Sequence, residues 1–176
     1  MRFTKFAIAL PACAAALALA SCGEEPEAVA VAEGDCPPGI EVANGWMALP
    51  AVAGNPAAAY FDITNGSDSQ ITIRGVDVLG AESGVLHETT TWNLEEDMQE
   101  ILQLGVAPGE TARFEPGARH VMAMGMGEGT EPGGETEVTL TFVGGDKCSF
   151  PVTAYPAGEM PDDFEPTPTE EEAEDA

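Results

Sequence analysis

Residues 71–78 read Ile71-Thr72-Ile73-Arg74-Gly75-Val76-Asp77-Val78. Apolar side chains alternate with polar ones on both sides of Gly75, the two-residue period of a strand with one buried face. The alternation slips by one residue at Gly75, where a bulge or bend is expected.

The same texture extends outward in both directions. Short β-branched and apolar runs are punctuated by Gly, Pro, Asn and Asp, as in chains built from many strands. Strands are expected at Ile40 to Met47 and at Tyr60 to Thr64, the latter broken by the turn pair Asn65-Gly66. Others are expected at Val85 to Thr89, Met98 to Leu104, Thr111 to Glu115 and Arg119 to Met124. Val138, Leu140 and Phe142 mark a further buried face, and Cys148 to Ala154 supplies the last strand. No long stretch carries a helical stripe and no internal repeat is found, which points to an all-β antiparallel sandwich or barrel.

The ends of the chain read differently. Arg2 and Lys5 precede a mostly apolar run from Phe6 to Ala20, the arrangement of a secretory signal and too short for a stable membrane span. Leu19-Ala20-Ser21-Cys22 resembles the lipobox of bacterial lipoproteins, which makes residues 1–21 the signal and Cys22 the lipidated first residue. Residues 22–39 then form a small-residue linker, 40–155 the folded domain and 156–176 an acidic tail expected to be disordered. That tail holds Pro156, Pro161, Pro166 and Pro168 and closes in Glu-Glu-Glu-Ala-Glu-Asp-Ala.

Charge removes one class of partner. The whole chain has 6 basic and 31 acidic residues; without Arg2 and Lys5 the balance is 4 against 31, a formal charge of −27. A surface this acidic does not bind nucleic acid, though it draws cations without choosing among them.

Of four cysteines, Cys13 leaves with the signal and Cys22 takes lipid. Cys36 and Cys148 remain, and outside the cytoplasm they are expected to form a disulfide. The rival assignment, two thiolate metal ligands, has no compact spacing to support it.

The chain has two histidines, His87 and His120, and they fall where methionine is concentrated, at Met98, Met122, Met124 and Met126. Thioether sulfur is soft and prefers copper(I), whereas imidazole accepts several metals, so a mixed set favours copper(I) over zinc or calcium. His120 and Met122 are two apart, and on a strand both face one side while Val121 faces the core. Met124 shares that side and is a candidate auxiliary ligand. Trp92 and the carboxylates Glu95, Glu96 and Asp97 lie nearby but are read as packing and as a solvated loop.

The spacing His87-x10-Met98-x21-His120-x-Met122 resembles the signature of the PCu(A)C-type periplasmic copper chaperones. Val42 to Trp46, Ala58-Ala59-Tyr60 with Asn65, Leu86-His87, Glu115-Pro116-Gly117 and Leu140-Thr141-Phe142 also sit where that family has comparable residues, so the likeness covers about Ile40 to Ala154. The resemblance implies a cupredoxin-like Greek-key sandwich that binds copper(I) through His87, Met98, His120 and Met122. It also implies delivery to a client copper protein such as the copper centre of cytochrome c oxidase or another copper chaperone, on the periplasmic face of a membrane. One departure is that Glu88 to Trp92 lacks the extra methionine many members carry after the first histidine.

Three other functions compete. Copper buffering or resistance needs the same site and no client. An electron-transfer cupredoxin needs a cysteine thiolate beside its histidines, and neither Cys36 nor Cys148 is near them in sequence. A metalloenzyme needs an acid or base beyond the two histidines, and none is evident, so no catalytic activity is expected.

Overall fold

The structure is a computed structural model and describes residues 34–92, 95–127 and 129–165. It is all strand and turn there, with ten strands: β1 (Ile40–Ala48), β2 (Ala57–Asn65), β3 (Ile71–Val78), β4 (Ser83–Trp92), β5 (Glu95–Glu100), β6 (Leu104–Val106), β7 (Thr111–Phe114), β8 (Arg119–Met124), β9 (Glu135–Phe142) and β10 (Lys147–Tyr155).

The ladder runs β5, β4, β8, β2, β1, β10, β9, β3, β6, and β7 pairs with the half of β2 that β8 leaves free. All pairs are antiparallel except β1 with β10, so the expected antiparallel sandwich contains one parallel seam. The hydrogen-bonded path folds over on itself, and β3 packs against β4 across the core without sharing a ladder. That approach is why residue 84 is glycine: a Cβ there would stand 2.7 Å from the Val76 carbonyl oxygen.

Alternation decides which side chains fill the space between the layers. On β2, Ala57, Ala59, Phe61 and Ile63 are buried while the residues between them face out. Phe61 stacks on Phe114 at 4.3 Å and meets Phe150 edge-on at 4.8 Å. Full burial of side chains such as Phe61, Phe114, Ile63 and Leu140 contributes roughly 1.5–3 kcal/mol each. The bulge expected at Gly75 is present, as a register shift between Ile73 and Gly75 against β9.

Three features differ from the sequence expectations. The single strand expected over Met98 to Leu104 is two strands, because β5 pairs with β4 while β6 pairs with β3. Asn65 ends β2 as expected, but not in a hairpin, since β2 and β3 are not neighbours. Instead its buried amide donates to the Ser69 and Val106 carbonyls and its oxygen accepts from Ser67, gathering two loops. Trp46 lies beyond a bulge in β1, aligned with Tyr60 on the outer face. There it is 3% exposed, covered by Tyr60, Tyr155 and Phe164. Phe164 belongs to the segment expected to be disordered, yet its ring packs edge-on against Trp46 at 5.5 Å.

Cys36 and Cys148 are joined in a disulfide, and Asp35 and Ser149 exchange backbone hydrogen bonds beside it. Together they tie the lead-in of the domain to β10. The signal expected over residues 1–21, Cys22 with the linker up to residue 33, and residues 166–176 lie outside the described residues.

Candidate metal centre

The candidate ligands come from three adjacent strands, β5, β4 and β8, at one edge of the ladder. Leu86, Val121 and Ala123 are buried toward the core, so the residues alternating with them face outward. Register then decides which of these meet. His87 lies directly opposite His120, Val85 opposite Met122, and Thr89 opposite Met98. Opposed residues of an antiparallel pair share a side, and so do residues two apart, so all four candidates share one outer face.

His87, His120 and Met122 come together. His87 Nδ1 is 2.7 Å from the Met122 sulfur, and the His87 and His120 rings stand 5.9 Å apart at 78°. An imidazole nitrogen about 2.0 Å from a metal puts its ring centroid roughly 3 Å from that metal, so two rings on one ion lie up to about 6 Å apart. The observed spacing fits one ion between them.

Met98 is the most exposed of the four. It lies on the same face but is 56% exposed, at the solvent side of the patch on edge strand β5. Met124 also keeps the expected face, opposite Ser83, and is 39% exposed. Met126 packs partly against the core.

Ring orientation follows from local hydrogen bonding. His120, 7% exposed, has its Nδ1 3.0 Å from the Ala118 carbonyl oxygen. A carbonyl only accepts, so Nδ1 carries the proton in that bond and Nε2 keeps the lone pair for a metal. Tyr60, aligned with Trp46 on the outer face, sits 6.5 Å from the His120 ring, and burial pushes its phenol above the ordinary tyrosine range. Around this patch the charges are mostly acidic. Asp97 and Glu100 are exposed, and Glu88 is paired with Arg119 at 3.1 Å. The side chains of Trp92, Glu95 and Glu96 lie outside the described set.

Two features of this surface were not read from the sequence. Glu100 is the register partner of His87, which turns a residue of unremarkable sequence context into a neighbour of the site. The hairpin register that decides this has no Asn-Gly or Asp-Gly turn to announce it. A separate cavity of 390 Å³ lies beneath the C-terminal segment, lined by Asn44, Trp46, Arg113, Tyr155 and Phe164 among others. None of the histidines or candidate methionines borders it, so volume alone does not mark the chemistry.

Comparisons with known proteins agree with this architecture. Among solved structures, the chain is similar to the copper-bound PCuAC domain from PmoF2, at 17% identity and TM-score 0.58 over 71% of this chain and 99% of that one. It is also similar to apo-DR1885 from Deinococcus radiodurans, at 23% identity and TM-score 0.54 over 92% of this chain and 100% of that one. At these identities the likeness is one of fold, the cupredoxin-like sandwich. In sequence, it is 32% identical over 130 residues to "Putative lipoprotein Lxx21020" of Leifsonia xyli subsp. xyli, 73% of this chain and 77% of that protein. Residues 40–154 match the family described as "Putative lipoprotein LpqE-like", a span that takes in all ten strands except the last residue of β10. The chain therefore belongs to the LpqE-like family, a PCuAC-type family built on the sandwich described above.

Proposed function

We propose that the domain is a copper(I) carrier. It binds one ion through His87, Met98, His120 and Met122 and passes it, without catalytic turnover, to another copper protein. A copper-centre subunit of cytochrome c oxidase or a second copper chaperone are the clients in view. The protein works outside the cytoplasm, held to a membrane by lipid on Cys22, with residues 22–39 as spacer and 40–155 as the working domain.

The observation that carries this reading is the meeting of His87 Nδ1 and the Met122 sulfur at 2.7 Å beside the His120 ring. Two imidazoles and a thioether are neutral donors of the kind that suits a soft monovalent ion. Met98 then supplies the fourth donor from the solvent side, where an arriving or departing ion passes. A fold shared with a domain that is copper-bound in PmoF2 supports the same reading.

The test is an anaerobic copper(I) titration of the full chain in detergent against a coloured competing chelator. One ion per chain is expected. Ligand-sphere losses of 10- to 100-fold follow from disturbing mere supporting groups, so His87→Ala and Met122→Leu are each expected to cost about a hundredfold or more. Undiminished binding in both variants refutes the site.

A further inference from the structure

We propose that Glu100 gives the same face a second donor set, two imidazoles and one carboxylate, which accepts a divalent ion such as copper(II) or zinc(II). This rests on the reading of His87 and His120 as metal ligands.

The placement of Glu100 follows from backbone hydrogen bonding. Ile101 donates to the Leu86 carbonyl at 2.8 Å, which makes Leu86 and Ile101 a hydrogen-bonded pair. The next pair along, His87 and Glu100, is then of the non-hydrogen-bonded kind, in which side chains approach most closely. Ile101 packs against the core, so Glu100 points outward with His87. His120, His87 and Glu100 thus form one row across β8, β4 and β5.

Edge strand β5 therefore offers this face two different donors two residues apart, the thioether of Met98 and the carboxylate of Glu100. His87 and His120 belong to either set. Thioether suits copper(I), whereas carboxylate with imidazole suits copper(II) and zinc(II), and a His₂-carboxylate set leaves positions open for water. Among the described residues no three His, Cys, Asp or Glu side chains already stand in metal-binding positions. The divalent set thus forms by rotation of Glu100, whose side chain is exposed and has no hydrogen-bond partner among the described residues. The acidic surface favours the double charge further.

The experiment measures zinc(II), copper(II) and copper(I) affinities of the full chain in detergent for wild type, Glu100→Gln, Met122→Leu and His87→Ala. Glu100→Gln is expected to lower both divalent affinities at least about tenfold relative to its copper(I) affinity. Met122→Leu is expected to do the reverse. The copper(II) electron paramagnetic resonance spectrum should change in Glu100→Gln and keep its wild-type form in Met122→Leu. If Glu100→Gln leaves the divalent-to-monovalent ratio at the wild-type value while His87→Ala weakens every ion, this inference is wrong and the copper(I) site stands. If His87→Ala weakens no ion, the site itself is wrong.

Discussion

Removing the disulfide while keeping its shape should destabilise the domain heavily and leave copper(I) binding alone. The perturbation is the double substitution Cys36→Ala/Cys148→Ala, because Cys148 is fully buried and a hydroxyl there would be left without a partner. The bridge spans a sequence separation of 112 residues. In the chain-entropy treatment, 2.1 plus 1.5R ln 112 gives about 16 cal/mol/K, or about 4.8 kcal/mol at 25 °C.

Part of that closure survives without sulfur. Asp35 and Ser149 exchange hydrogen bonds at 2.7 and 2.9 Å next to the bridge and still hold the lead-in to β10 in the native state. These bonds add nothing to the constraint on the unfolded chain, where the disulfide acts, so most of the effect remains. A loss of roughly 3–5 kcal/mol is expected, a large share of a domain stability of about 5–15 kcal/mol. Urea unfolding followed by circular dichroism reads it as a lower midpoint, and scanning calorimetry as a fall of roughly 10–20 °C. The copper(I) affinity should stay within about threefold, because the cysteines lie off the His87, His120 and Met122 face. An unchanged urea midpoint refutes the stability reasoning. A large loss of copper(I) affinity in the folded variant revives the cysteines as ligands.

Three further outcomes are expected. Asn65→Ala removes the amide that joins the Ser69 and Val106 carbonyls and leaves buried backbone groups unpaired, at a cost of roughly 2–4 kcal/mol by urea denaturation. Phe164→Ala uncovers the Trp46 ring and frees its buried, unpartnered indole N–H to water; the tryptophan emission should shift to the red with a stability change of only about 1 kcal/mol. Tyr60 is held neutral by burial, so its folded pKa lies above the unfolded value of 10.0. Its contribution is complete below pH 10.0 and is lost as pH rises through the higher folded value, whereas ultraviolet titration of Tyr60→Phe should lack that late phenol step.

How far each element was legible depends on what a local pattern reports. Arg119–Met124 was read to the residue, because His120-Val121-Met122-Ala123 alternates against a fully buried Val121 and Ala123. The start of β2 was missed: Ala57 and Ala59 have little strand preference, yet they are buried where β2 pairs with Ala123 and Val121 of β8. The run from Met98 to Leu104 looked like one strand because alternation reveals which residues are covered and says nothing of which neighbour covers them. Phe164 was hidden in a Pro- and Glu-rich tail, since one aromatic without a periodic context gives no sign that it packs on the Trp46 ring.

The sequence by itself determined the β texture and the acidic composition and offered the candidate donors, because each is written in residue type or in contacts between near neighbours along the chain. Only the tertiary structure decided that His87 faces His120, that Met98 stands in solvent and that Glu100 shares their row. Those outcomes depend on the register between strands, and register is fixed by burying Leu86, Val121 and Ile101 together from segments far apart in the chain.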